Sequence, residues 1–113
     1  MKKVEAVIRP YKVDEVKDAL MALGVGGMTV SEVRGLGHQP EHTGHYAGAE
    51  YTIDLLPRAK IEVVVADDLV GSIVSTVCRV ARTGSTGDGK IFVLPLMAAI
   101  RIRTGEAGNA ALC

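Results

Sequence analysis

The first half of the chain changes from a two-residue to a helical repeat of apolar positions. Val4, Ala6 and Ile8 alternate with charged neighbours, which predicts a strand with one buried face. Pro10 ends this strand, and apolar residues then recur at helical spacing, namely Val13, Val16, Ala19, Leu20 and Leu23. Gly24, Gly26 and Gly27 end the helix, and a second strand is predicted over residues 28–36.

The same order recurs in the second half. Residues 60–65 alternate as a strand, and Asp67 or Asp68 is predicted to cap a helix. The apolar stripe of that helix consists of Leu69, Ile73, Val74, Val77, Val80 and Ala81. Extended structure is predicted again over 90–96, and a short last strand over 100–103. The pattern predicts an α+β fold, a ferredoxin-like βαββαβ sandwich with a long loop between strands 2 and 3.

Right-handed crossovers would place both helices on one face of this sheet. The other face would then carry charged side chains, namely Lys3, Glu5, Lys60, Glu62, Arg101 and Arg103. A single charged strand is best interpreted as a solvated face. Charges of both signs around Val7 and Val64 favour a face that pairs with other subunits.

Length and charge narrow the class of protein. With 113 residues, the chain is expected to form one domain over 1–113, including a loop at 37–50 and a C-terminal tail at 104–113. The 13 basic and 13 acidic residues balance, which argues against binding nucleic acid. There is no apolar run of about 18 residues that could span a membrane. Cys78 and Cys113 are too few and too far apart for a disulfide framework, so a cytoplasmic location is expected.

A glycine-rich segment at 83–90 has the spacing of a phosphate-binding loop, with Gly84, Gly89 and Lys90 in the required positions. Ile91 stands where such loops carry a Mg²⁺-binding hydroxyl, so we expect nucleotide binding without efficient hydrolysis. The spacing alone fits a simple connector equally well. Further cations favour a nucleotide phosphate: Arg82 precedes the loop, and the predicted last strand would place Arg101 and Arg103 on one face.

The segment 37–50 is too polar to bury an apolar face and longer than the usual connection of about 4–6 residues, so a functional loop is predicted. His38, His42 and His45 could hold Zn²⁺, although a loop that is polar for solubility is the favoured interpretation. Tyr51 is a candidate for partner contact or covalent modification. The alternative interpretation is that Tyr51 simply starts the next strand and packs there.

The chain resembles the PII nitrogen-regulatory family over essentially its whole length. The most specific stretches are Gly27-Met28-Thr29-Val30, His42-Thr43, Gly48-Ala49-Glu50-Tyr51, Lys60-Ile61-Glu62-Val63-Val64-Val65 and the residues 83–93. The resemblance implies a non-catalytic signalling protein that forms a homotrimer, with ATP or ADP in the clefts between subunits. By position, the nucleotide-binding residues would be Thr29, Gly35, His38, Glu62, Thr83, Gly87, Asp88, Gly89, Lys90, Arg101 and Arg103.

The resemblance also implies a second ligand, 2-oxoglutarate, which Gln39, Arg58 and Gly87 would bind, with Gln39 helping to hold Mg²⁺. Tyr51 matches a tyrosine that some bacteria modify. Implied partners are ammonium transporters and nitrogen-metabolism enzymes, with membrane contact only through a transporter. The loop departs from the family pattern at His38, Pro40-Glu41 and Ala47, and Arg58 replaces the usual lysine. These departures indicate a divergent paralogue.

Three alternatives remain open. A PII-like paralogue could sense adenine nucleotides without 2-oxoglutarate and control a different transport or metabolic system. A slow ATPase would need a general base, for which Asp88 is the one evident residue near the glycine-rich segment. An RNA-binding domain is disfavoured by the zero net charge and by Phe92 being the sole aromatic within a well-defined predicted strand.

Overall fold

The computed structural model describes residues 1–36, 45–46, 49–50 and 55–112. Within these ranges the chain forms six strands and two α-helices. The order is β1 (Lys2–Ile8), α1 (Val13–Ala22), β2 (Thr29–Leu36), β3 (His45–Tyr46), β4 (Ala49–Glu50), β5 (Leu55–Val65), α2 (Val70–Ala81) and β6 (Gly89–Pro95). Short 3₁₀ turns at Pro10–Lys12 and Asp67–Leu69 lead into the two helices, and a third turn lies at Gly108–Leu112.

The main sheet has the strand order β2-β5-β1-β6, and each neighbouring pair is antiparallel. Both helices cover one face of this sheet. The predicted ferredoxin-like βαββαβ fold is therefore confirmed. The two-residue strands β3 and β4 pair with each other as a separate ribbon inside the predicted loop 37–50.

The core lies between this sheet and the helices, as the alternating pattern predicts. Val4, Ala6 and Ile8 of β1 point into it beside alternate residues of β5, and Val16 and Leu20 of α1 meet them from the helix layer. The remaining buried members are Ala59, Ile61, Val63, Val65, Ile73, Val77 and Ala81. Full burial of one such branched side chain contributes about 1.5–3 kcal/mol.

The opposite face of the sheet carries an ion network, also as predicted. Lys3 lies 3.1 Å from Glu5 and 3.0 Å from Glu62, and Lys60 lies 3.7 Å from Glu62. The hydrogen bond from Lys3 lowers the pKa of Glu62, and Glu62 in turn raises the pKa of Lys3. Arg101 and Arg103, which were predicted for this face, lie outside the sheet.

Two predicted features are wrong. The segment 100–103 is not a strand: Ile100 forms an isolated bridge with Ala107, because a tight turn reverses the chain between them. In this turn the N–H of Gly105 donates to the carbonyl of Arg101 at 2.7 Å, with Gly105 in the left-handed region at φ +74°. The predicted cap of the second helix is also wrong, since Asp67 accepts from the Met1 amino group and from Lys2.

Gly89 brings β6 against β1 more closely than any other residue type allows. Its φ is +111°, and a Cβ atom built on it would lie 1.8 Å from the carbonyl oxygen of Val7. Gly84 has a similar φ of +92° but open space around it. Substitutions at the two glycines can therefore distinguish the cost of backbone strain from the cost of a steric clash.

We predict that Gly89→Ala lowers the free energy of unfolding by at least about 3 kcal/mol, because β1 and β6 must move apart. Gly84→Ala, the matched control, should cost about 1–2 kcal/mol, which is the strain of a left-handed backbone alone. Urea unfolding followed by circular dichroism measures both values. Equal losses in the two variants would contradict the steric argument.

Candidate functional site

The glycine-rich loop joins the end of α2 to the start of β6. The helix ends at Ala81, and Arg82 already has an extended backbone. Gly84 and Gly87 have φ values of +92° and +102°, a backbone conformation that glycine adopts readily and that allows the tight bends of this loop. The loop is in this way presented at the end of the sheet where β1 ends.

The carboxylate of Asp88 is bound from several directions. Oδ2 accepts from the N–H groups of Thr83 at 2.8 Å and Gly84 at 2.9 Å. Oδ1 accepts from the hydroxyl of Thr83 and, at 3.2 Å, from Nε of Arg9. The Thr83 hydroxyl contributes most to holding the pKa of Asp88 well below its usual range, with the two amides and Arg9 adding to it.

Arg9 contacts the loop a second time. Its Nη2 donates to the carbonyl of Thr86 at 2.8 Å, and its side chain is 17% exposed. We name the group formed by Arg9, Thr83, Thr86 and Asp88 the loop clasp. The clasp ties the end of β1 to both sides of the glycine-rich loop.

A cleft of about 710 Å³ opens beside the loop. One part of its wall is apolar, and the other consists of loop backbone and cationic side chains. The lining residues are Val7, Gly35, Leu36, Arg58, Ser85, Thr86, Gly87, Asp88, Gly89, Lys90 and Phe92. Among the described residues, the N–H groups of Gly87 and Asp88 donate to no protein acceptor. The cleft can therefore offer amides and cations to an anionic ligand.

Six residues predicted for ligand binding meet in this cleft, namely Gly35, Arg58, Gly87, Asp88, Gly89 and Lys90. Thr83, at the start of the loop, does not line the cleft; its N–H and hydroxyl donate to the carboxylate of Asp88. Arg58 extends over Gly35, where its Cγ would contact an added Cβ at 3.5 Å, and its Nη1 donates to the Pro57 carbonyl at 2.9 Å.

Four predicted residues lie away from the cleft of the same chain. Thr29 and Glu62 are directly opposite each other in β2 and β5, six residues along β2 from Gly35, which corresponds to about 20 Å. Arg101 is held in the C-terminal turn, where it donates to Glu106 and to the Ala110 carbonyl, both at 3.3 Å. Arg103 follows in the same turn, so the predicted common face of the two arginines is wrong.

Several predictions lie outside the described residues. These are His38 at the nucleotide, Gln39 at 2-oxoglutarate and Mg²⁺, His42 as a metal ligand and Tyr51 as a modification site. For His45 the structure describes the backbone alone. In the parts of the chain that are described, no cluster of metal-ligating side chains occurs and no helix is long and apolar enough to cross a membrane.

Sequence reasoning missed Arg9 and the apolar wall of the cleft, Val7, Leu36 and Phe92. The register of the sheet contains the signal for Arg9. Ile8 pairs with Gly89 in the antiparallel β1–β6 ladder, so the next residues, Arg9 and Asp88, face each other. Seeing this requires knowing that β1 and β6 are neighbours.

The fold and the cleft together define a small ferredoxin-like domain with a ligand-sized site beside a glycine-rich loop. Comparison with known sequences agrees: the family described as Nitrogen regulatory protein P-II matches residues 1–106. The chain is 54% identical over 112 residues to Nitrogen regulatory protein P-II of Klebsiella oxytoca, covering 99% of this chain and 100% of that protein. With the same coverage it is 54% identical to Nitrogen regulatory protein P-II 1 of Escherichia coli strain K12 and 55% identical to Nitrogen regulatory protein P-II of Cereibacter sphaeroides.

The chain belongs to the P-II family of nitrogen regulatory proteins. Its role is therefore regulatory signal transduction.

We predict that Asp88→Asn lowers the free energy of unfolding by about 1–3 kcal/mol at pH 7, because amide and guanidinium donors lose their charged acceptor. The pKa of Asp88 is lower in the folded than in the unfolded chain. The stabilisation is therefore present above about pH 4 and declines as the pH falls below that value.

Urea unfolding of both proteins between pH 7 and pH 3 measures this difference, which should shrink towards the acid end. Asp18→Asn serves as the control, because Asp18 is largely exposed on α1 and lies 4.0 Å from Lys17. Its effect should stay within about 0.5 kcal/mol at pH 7. An Asp88→Asn deficit that is constant or grows towards low pH would refute the assignment.

Proposed function

We propose that the chain reports nitrogen and energy status by binding ATP or ADP in the cleft beside the glycine-rich loop. The observation that carries this proposal is the composition of the cleft wall. Val7, Leu36 and Phe92 offer apolar surface for a base, while Lys90 and the amide of Gly87 suit a phosphate chain. A ligand with a flat ring at one end and anionic oxygens at the other matches this division.

The separation of the predicted site residues supports sites shared between subunits of a homotrimer. Thr29 and Glu62 are about 20 Å from Gly35 in one chain, so one nucleotide could contact both groups only across two copies. Exposed apolar side chains near the C-terminus favour association as well. Met97 and Ile102 are fully exposed and Ile100 is 66% exposed in the isolated chain.

In this proposal the segment 37–50 is the effector loop, and its state depends on the bound nucleotide. Partners would be an ammonium transporter or enzymes of nitrogen metabolism, and Tyr51 would be the modification site. Peripheral membrane contact would come only through a transporter, and the site of action would be the cytoplasm. Binding can shift the loop only if the nucleotide has different affinities for two loop states.

A regulatory rather than catalytic role is favoured by the environment of Asp88. A general base works best when its pKa lies near the working pH, whereas the loop clasp holds the pKa of this carboxylate far below it. Thr83, Gly84 and Arg9 also occupy the oxygens of Asp88. A poorly basic, fully engaged carboxylate makes an efficient ATPase the weaker hypothesis.

We expect isothermal titration to detect ATP and ADP binding to the unaltered chain, and Lys90→Gln to weaken both by about tenfold or more, because a charged phosphate contact is lost. Lys17→Gln is the matched control, since Lys17 lies on α1 beside Asp18. It should change the affinity by less than about twofold.

No binding at millimolar nucleotide would end the proposal. Equal affinities of the Lys90 and Lys17 variants would remove Lys90 from the site. Sedimentation of the same samples tests the trimer, and a monomer that still bound nucleotide would refute the shared site alone.

A second ligand separates the two candidate functions. In the leading one, 2-oxoglutarate and Mg²⁺ bind beside the nucleotide through Gln39, Gly87 and Arg58. The alternative is a paralogue that senses adenine nucleotides without 2-oxoglutarate and controls another transport or metabolic system. Both candidates are kept because Arg58 lines the cleft, while its Nη1 already donates to the Pro57 carbonyl.

We expect 2-oxoglutarate to bind when ATP and Mg²⁺ are present, and Arg58→Met to weaken that binding by about tenfold or more, because the carboxylate loses its cation. Arg79→Met is the control, since Arg79 is exposed on α2 and does not line this cleft. Calorimetry with and without ATP measures the effect. If the protein binds nucleotide but titration of 2-oxoglutarate releases no heat, the result would favour the paralogue that senses adenine nucleotides alone.

A further inference from the structure

The loop clasp acts on one peptide group in particular. Arg9 reaches the carbonyl of Thr86 with Nη2 at 2.8 Å while its Nε contacts Asp88 at 3.2 Å. The guanidinium is planar and rigid, so these two contacts fix its orientation relative to the loop. The Thr86 carbonyl is therefore held towards the end of β1.

A trans peptide group directs its C=O and its N–H in opposite directions. The carbonyl of Thr86 and the N–H of Gly87 belong to the same peptide group. When Arg9 holds the carbonyl on its own side, the N–H of Gly87 must point away from Arg9. Gly87 lines the cleft, and its N–H is one of the described amides that donate to no protein acceptor.

Without this contact the peptide group would be free to rotate. Gly87 has φ +102°, and glycine populates positive and negative φ about equally. Gly84 is fixed by its bond to Asp88, whereas the Thr86–Gly87 peptide has the Arg9 contact as its tie within the described residues. Orientation of the Gly87 N–H thus depends on a residue that is absent from the lining of the cleft.

We infer that Arg9 is a positioning residue, which aims the Gly87 N–H at a phosphate oxygen of the ligand by holding the Thr86 carbonyl. This inference rests on the proposed nucleotide function for its ligand, but the orientation of the peptide stands on geometry alone. Arg9 acts here through the loop, so it should affect phosphate-bearing ligands and leave contacts with the base unchanged.

The test compares Arg9→Gln with the unaltered protein by NMR relaxation and calorimetry. In the ligand-free state the order parameter of the Gly87 amide should fall from about 0.85 to below about 0.6. Affinity for ATP and ADP should fall by about tenfold or more, because an aimed donor to an anion is lost. Affinity for adenosine should change by less than about twofold.

Two further variants sharpen the result. Lys12→Gln removes a nearby positive charge that pairs with Glu15 at 3.6 Å, so both readouts should stay unchanged. Arg9→Lys keeps the charge but lacks the rigid two-point fork, and it should recover only part of the ATP affinity. It also serves if Arg9→Gln does not fold, which thermal unfolding reports.

Full recovery by Arg9→Lys, or an equal loss of adenosine affinity, would overturn the inference. An unchanged Gly87 order parameter in Arg9→Gln would overturn it even if nucleotide binding were lost. If the unaltered protein bound no nucleotide, the proposed function would fail, while the relaxation data would still decide whether Arg9 orients this peptide.

Discussion

The contact of Gly89 with the Val7 carbonyl is the constraint on which the site depends. A Cβ atom would collide with this carbonyl, and because glycine has none, β6 can begin directly against the end of β1. This register places Asp88 opposite Arg9, and the ion pair then fixes the loop that precedes β6. The position of the cleft is therefore a consequence of the pairing of β1 with β6, and the loop supplies part of the cleft lining.

The two faces of the sheet differ in role: one packs against the helices and stabilises the fold, and the other is suited to association with another surface. Apolar residues of β1 and β5 bury themselves under the helices, whereas Lys3, Glu5, Lys60 and Glu62 form a partly exposed ion network on the other face. Exposed ion pairs contribute little to the stability of an isolated chain, typically about 0–1 kcal/mol. Phe92 and Leu94 lie on the same face, 49% and 37% exposed, so this surface combines apolar area with fixed charges. Such a surface suits specific contact with another protein surface.

Local pattern predicted the elements with strong periodicity and failed where tertiary contacts decide. The stripes around Val16 and Ile73 are confirmed, and the glycine-rich segment lies in a loop that lines a cleft. Ile100 and Ile102 alternate like a strand, but hydrogen bonds between Arg101, Gly105 and Glu106 close a turn instead. Asp67 was predicted to cap a helix from its position before the apolar stripe. Its actual partner, the Met1 amino group, is 66 positions away and cannot be inferred from the local sequence. The role of Arg9 was hidden for the same reason, since its partners lie 77 and 79 positions along the chain.

The topology also explains how a ligand in this cleft could influence a distant partner. Gly35 and Leu36 end β2 on the cleft wall, and their partners Leu56 and Leu55 begin β5. The end of β2 and the start of β5 therefore lie side by side at the cleft, and Arg58 follows two residues after Leu56. A bound anion that attracts Arg58 acts on the same strand end to which the segment 37–54 is joined. Coupling requires only that the bound and ligand-free states prefer different arrangements of this strand end. If the ligand binds one arrangement more tightly by about 1.4 kcal/mol of free energy, the ratio of the two arrangements changes tenfold.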